Sequence, residues 1–102
     1  MIKQYNNFKD FYPYYIQQHK NKYTKLLHFI GTWLFILFIF NLIYSYEIIN
    51  LLYAFLAAYG FAWLGHYFIE KNKPATFSYP FYSFLGDCLM FMEILKGKHK
   101  IL

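Results

Sequence analysis

Two long apolar runs set the pattern of this chain. Residues 26–46, LLHFIGTWLFILFIFNLIYSY, carry no formal charge, and a helix of roughly 20 such residues crosses a bilayer. Residues 51–69, LLYAFLAAYGFAWLGHYFI, form the second run. Its Ala54, Ala57, Ala58, Gly60 and Gly65 are small enough to let two helices approach closely. The connection over 45–50 is short and contains Glu47. The pattern therefore predicts two antiparallel spans.

The flanks read differently. Residues 5–20, YNNFKDFYPYYIQQHK, carry an aromatic cluster at Phe11, Tyr12, Tyr14 and Tyr15. They predict a short helix on the membrane surface, with Pro13 in its first turn, where the missing N–H costs nothing. Residues 70–80 are a polar loop rich in helix breakers. Pro80 then opens a third apolar run, PFYSFLGDCLMFMEIL, with Asp87 and Glu93 inside it. A crossing there would put Lys96, Lys98 and Lys100 on the wrong side, so a surface amphipathic helix is predicted. The fold expected is an all-α integral membrane hairpin of two spans, with interfacial helices before and after it. Residues 1–102 are read as a single domain.

Composition strengthens the membrane reading. Hydrophobic residues make up 59% and aromatic residues 26% of the 102 positions, more than a domain of this size can hide from water. Net charge is +5, and every basic residue is Lys. The lysines cluster before the first run and after the second, which places both termini on the cytoplasmic side. No RNA- or DNA-binding motif accompanies them, so nucleic acid is not an expected partner. Cys88 is the only cysteine, which rules out an intrachain disulfide, and it reads as a small buried apolar residue. The first residues lack the apolar core and cleavage site of a signal peptide. The Lys-, Asn- and Ile-rich, Arg-free composition favours a bacterial inner membrane over the endoplasmic reticulum.

Spacing brings histidines together. His28 precedes Glu47 by as many residues as His66 follows it, so both should lie about 28 Å from the turn, at the cytoplasmic mouth. The 70–76 loop and the segment carrying His19 reach the same mouth. His66 and Glu70 share a face if the second helix continues that far. His19 can join His28 only if the chain bends between them, and Asn21 and Thr24 are both candidate N-caps for such a break. Three neutral imidazoles, with or without a carboxylate, suit Fe, Zn, Cu or Ni. Taken singly, the same residues have plainer readings. His19 in its lysine-flanked segment reads as an exposed surface residue, and His99 in the lysine tail as solvated. His28 reads as an interfacial histidine bonded to a carbonyl, His66 with Glu70 as a helix-ending pair, and Asp87 as a local cap.

The segments FYPYYIQQHKNKYTKLLHFIGT (11–32) and GHYFIEKNKPATFSYPFYSFLGDCLMF (65–91) resemble a known family. It comprises small membrane proteins typified by the fungal endoplasmic-reticulum 2-hydroxy fatty acid dioxygenase of phytosphingosine degradation. The resemblance rests on His19, Asn21, His28, Gly31 and Thr32 in the first segment and on G-H-x3-E-x-N-K-P-A-T-F in the second. It implies an Fe(II)-dependent enzyme of fatty acid α-oxidation. A 2-hydroxy fatty acid and O2 would give the acid one carbon shorter and CO2. The implied iron ligands are His19, His28 and His66. Glu70 would be a fourth ligand or the acceptor that orients an imidazole. Asn72, Lys73 and Thr76 are candidates to hold the substrate carboxylate. Lys stands at 25, 71 and 73 where Arg is common, and Lys lacks the bidentate fork for a carboxylate. A homo-oligomer is compatible with the sequence. Competing functions are a non-catalytic module that binds lipid or a partner protein, and a zinc-dependent lipid hydrolase.

Overall fold

The structure is a computed structural model, and it describes residues 5–74 and 77–99. The described residues form four α-helices: α1 (Phe8–Gln17), α2 (Lys22–Ser45), α3 (Ile49–Leu64) and α4 (Pro80–Leu95). A π-helical turn, Gly65–Glu70, prolongs α3. There is no strand among the described residues.

Local chemistry sets the helix ends. The Asn7 side chain accepts from the Asp10 N–H at 2.8 Å and caps α1, as a short polar side chain does for an orphan helix donor. This cap starts the helix earlier than Pro13 suggests. Pro13 therefore lies inside α1 rather than in its first turn, with its ring exposed. The chain breaks between α1 and α2, where Asn21 takes an extended conformation and its side chain accepts from the Tyr23 N–H at 2.8 Å. That break is the bend His19 needs.

Helices α2 and α3 run antiparallel and pack along their lengths. A Cβ on Gly31 would lie 3.1 Å from the Ala57 carbonyl oxygen and 3.2 Å from that of Ala58, so glycine is what lets the backbones meet here. Nearer the turn, Phe38 meets Tyr53 and the Asn41 side-chain amide donates to Asn50 Oδ1 at 2.9 Å. Tyr46 closes α2 in the left-handed region at φ 59°, its N–H bonded to Leu42 O. By length and composition, Lys22–Ser45 and Ile49–Glu70 could each cross a membrane. Their outer faces present Leu37, Phe40, Ile43, Leu56 and Phe68 to the surroundings.

Helix α4 has 16 residues, about 24 Å of helix. It packs on α1 and α2. Phe11 and Tyr15 of α1 meet Met90 and Ile94 of α4 and Tyr79, just before it, in a buried cluster, and Phe91 stacks on Phe29 of α2. A Cβ on Gly86 would lie 2.9 Å from the Tyr15 ring, so α4 sits directly on that ring. His99 is not solvated as its lysine-rich setting suggests. It bonds Glu93 at 2.8 Å, and Glu93 also accepts from Tyr12 OH. Burial pushes the Glu93 carboxyl up, but these two hydrogen bonds and the nearby His99 and Lys98 charges together outweigh it and hold the group below its ordinary value. The tail after α4 is thereby tied back to α1. Cys88 is exposed rather than buried.

Candidate metal centre

Three elements each supply one imidazole. His19 comes from the linker after α1, His28 from the second turn of α2, and His66 from the π-helical turn. All three are buried, at 1%, 6% and 2% exposure. His19 is thus an interior residue, contrary to its plain reading as a surface one. Their ring centroids are 4.3, 4.5 and 5.3 Å apart, with planes near perpendicular. Among the described residues they form a group whose ligand atoms lie within 4.8 Å of one another, close enough for one metal ion.

The helix register explains how His28 and His66 meet. A Cβ on Gly65 would touch Thr24, so Gly65 is level with a residue one turn before His28. The two histidine backbones are therefore offset by about a turn, not level as symmetry about Glu47 predicts. Side chains tilt toward the N-terminus of their own helix. In antiparallel helices the tilts are opposed, so His28 leans toward the mouth and His66 away from it. The rings close the gap that the backbones leave.

Hydrogen bonds fix which nitrogen each ring presents. His19 Nδ1 lies 2.6 Å from the Tyr15 carbonyl oxygen, which can only accept, so Nδ1 carries the proton. His66 Nδ1 lies 2.7 Å from Asn72 Oδ1. The Asn72 amide is oriented because its Nδ2 donates to the Gln18 carbonyl at 3.2 Å, so His66 Nδ1 must also donate. In both rings the Nε2 lone pair is left free. Nε2 of His19 and of His28 are buried without a partner. Orphaned buried acceptors cost about 1–3 kcal/mol each, and a bound cation would satisfy them. Burial first, then repulsion from His28 and His66, holds His19 well below the ordinary histidine pKa, so it is neutral as a ligand must be. These residues fit a metal.

Asp87 of α4 reaches the same place. Its Oδ1 accepts from Tyr15 OH and lies 3.5 Å from His28 Nδ1, long for a hydrogen bond. Burial and then the Asp87 charge raise the Tyr15 phenol well above its ordinary value, which keeps it protonated as the donor. The cavity between the rings is small, about 10 Å³, and is walled by Asp87, Ser83, Tyr59 and Trp63 beside the histidines. Ser83 Oγ is buried without a partner.

Of the remaining expected site residues, Asn72 touches a histidine ring, in a role other than the one expected. Glu70 Oε2 accepts from the Asn21 N–H at 2.7 Å, so its carboxylate serves the N-terminus of α2. The acceptor that orients His66 is Asn72, which the sequence suggested for substrate. Lys73 is exposed. Thr76 lies outside the described residues. Tyr15 and Ser83 were not legible as site residues, since α1 and α4 meet only in the fold.

A helical chain with two apolar, span-length helices and three converging imidazoles is the class that fold and site define. Over residues 5–99 it matches the family described as 2-hydroxy-palmitic acid dioxygenase Mpo1-like, and the chain belongs to that family. No curated protein and no solved structure matches it.

Two outcomes follow from this geometry. Asp87→Asn should weaken metal binding about tenfold, the low end for loss of a group that orients a ligand, because its contact with His28 is long. Competition with a chelator measures this. Unfolded His19 binds protons at the ordinary histidine value and folded His19 only well below it. More protons are then bound in the unfolded state, so stability rises with pH and is lost as pH falls below about 6.5. Thermal unfolding of metal-free protein across that range checks the sign.

Proposed function

We propose that this protein is an Fe(II)-dependent 2-hydroxy fatty acid dioxygenase embedded in a membrane as a two-span hairpin, with its site at the cytoplasmic mouth. One observation carries the reading: two buried Nε2 atoms without partners converge with a third imidazole, in a chain of a dioxygenase family. The membrane half is supported by exposure. A core helix of a soluble protein would be mostly buried, whereas only 11% and 22% of the apolar windows of the two long helices are.

The reaction balances without a further reductant. R-CHOH-COOH and O2 give R-COOH, CO2 and H2O, the acid yielding four electrons and O2 accepting them. The iron, held by His19, His28 and His66, would supply oxygen activation and Lewis-acid polarisation of the acid. The chain's own residues do the rest. Tyr15 O and Asn72 fix two ring orientations, and Asp87 holds the third side of the site. The free Ser83 hydroxyl can donate to an oxygen of the bound acid. Tyr59 and Trp63 limit water on the lipid side.

The test is O2 uptake by protein loaded with iron under anaerobic conditions and given 2-hydroxypalmitate. Uptake with release of CO2 and the acid one carbon shorter is expected. No uptake, or unchanged uptake in His66→Ala, overturns the reading.

A further inference from the structure

A second cavity adjoins the histidine cavity. It lies between α2, α3 and α4 and is lined by Phe35, Phe55, Ala58, Phe84 and Cys88, with Thr32 at its edge. Tyr59 and Asp87 line both cavities, so the two adjoin across these side chains. The lining of the second cavity is almost wholly apolar. Phe35 lies seven residues beyond His28, about 10 Å deeper along α2. There its ring meets Phe55 edge-on at 5.6 Å and closes the deep end. Phe55 and Phe84 are 41% and 44% exposed, so the groove opens sideways toward the surroundings of the two long helices.

We propose that this groove receives the single acyl chain of the substrate, and that Tyr59 and Asp87 mark the point where chain and polar head part. Polar and apolar chemistry follow one another along one path. At one end are imidazoles, a carboxylate and the unpartnered Ser83 hydroxyl; at the other, aromatic rings and Ala58. An amphiphile with a compact head and one tail fits this order. The head end is a small cavity, about 10 Å³ as it stands, so a compact head needs less rearrangement there than a phosphodiester or sugar headgroup. The occupant proposed is a free single-chain acid rather than an intact membrane lipid. The groove itself is about 40 Å³ as it stands, so the tail lies partly along its open side, where Phe55 and Phe84 are exposed. The nature of the head rests on the dioxygenase reading; the tail site does not.

Cys88 is the chain's only cysteine and lines the groove, so it reports occupancy without turnover. Protein reconstituted in dioleoylphosphatidylcholine vesicles is treated with N-ethylmaleimide, and alkylation of Cys88 is followed by mass spectrometry. At ten times its apparent Kd, 2-hydroxypalmitate should slow labelling about tenfold by mass action. Protection should grow with chain length, and 2-hydroxybutanoate and hexadecane should give none. An unchanged rate with 2-hydroxypalmitate overturns the proposal. So does equal protection by hexadecane, which would mean any apolar chain enters without a head to anchor it. Ala58→Phe, which fills the groove from α3, should abolish the protection; persistence of protection in that variant also overturns it. If the protein consumes no O2 yet Cys88 is protected, the dioxygenase reading fails and the groove stands.

Discussion

His66→Ala should lose its metal and its O2 uptake together, while the helices stay assembled. Removing a group that merely orients a ligand costs 10–100-fold in metal affinity, so removing one of three ligands should cost more than about 100-fold. The fold should survive because the α2–α3 contact beside His66 is made by the backbone of Gly65 on Thr24, which the substitution leaves alone. His19→Ala and His28→Ala should behave alike, since each ring is one third of the same cluster. Glu70→Gln is the informative comparison. Glu70 accepts from the Asn21 N–H at the start of α2, where a carboxylate adds about 0.3–1 kcal/mol through the helix dipole. Gln keeps an acceptor there, so this variant should retain most of its iron. Iron per chain after anaerobic loading, measured beside helical content, decides the matter. A fall in Glu70→Gln as deep as in the histidine variants would make Glu70 a ligand.

The parts of this site visible in the sequence are those fixed by local rules. The span-length apolar runs read out α2 and α3 because their outer faces meet no protein. The cap at Asn21 announced the bend after His19, because an N-cap is a local hydrogen bond. Counting from Glu47 put His28 and His66 at one level. The backbones are in fact offset by a turn, and opposed side-chain tilts make the rings meet. That count paired two rings that do meet, on an inexact register. What stayed hidden depends on long-range pairing. Tyr15 and Asp87 are 72 positions apart, and Asn72 reaches back 54 positions to Gln18. No local pattern marks such pairs. The π-helical turn was hidden too, because GHYFIE carries no signal that separates it from an α-helical end.

Tyr15→Ala should be the most damaging single change away from the histidines. The side chain is 1% exposed, stacks on the His19 ring at 4.2 Å and supports α4 at Gly86. Truncating a buried aromatic to Ala costs about 3–5 kcal/mol, and here the void would open between α1 and α4, under the histidine cluster. Both thermal stability and iron content should fall. Tyr15→Phe separates the causes. It keeps the ring, and His19 keeps its acceptor because that is the backbone carbonyl of residue 15. Only the bond to Asp87 is lost, about 1.5–3 kcal/mol for a charged acceptor. The loss should sit at the low end because Asp87 is 27% exposed and water can replace the phenol. Tyr15→Phe should therefore unfold slightly earlier and bind iron within about tenfold of the parent protein. If it lost iron as completely as Tyr15→Ala, the hydroxyl on Asp87, rather than the ring beneath α4, would be what holds His28 in place.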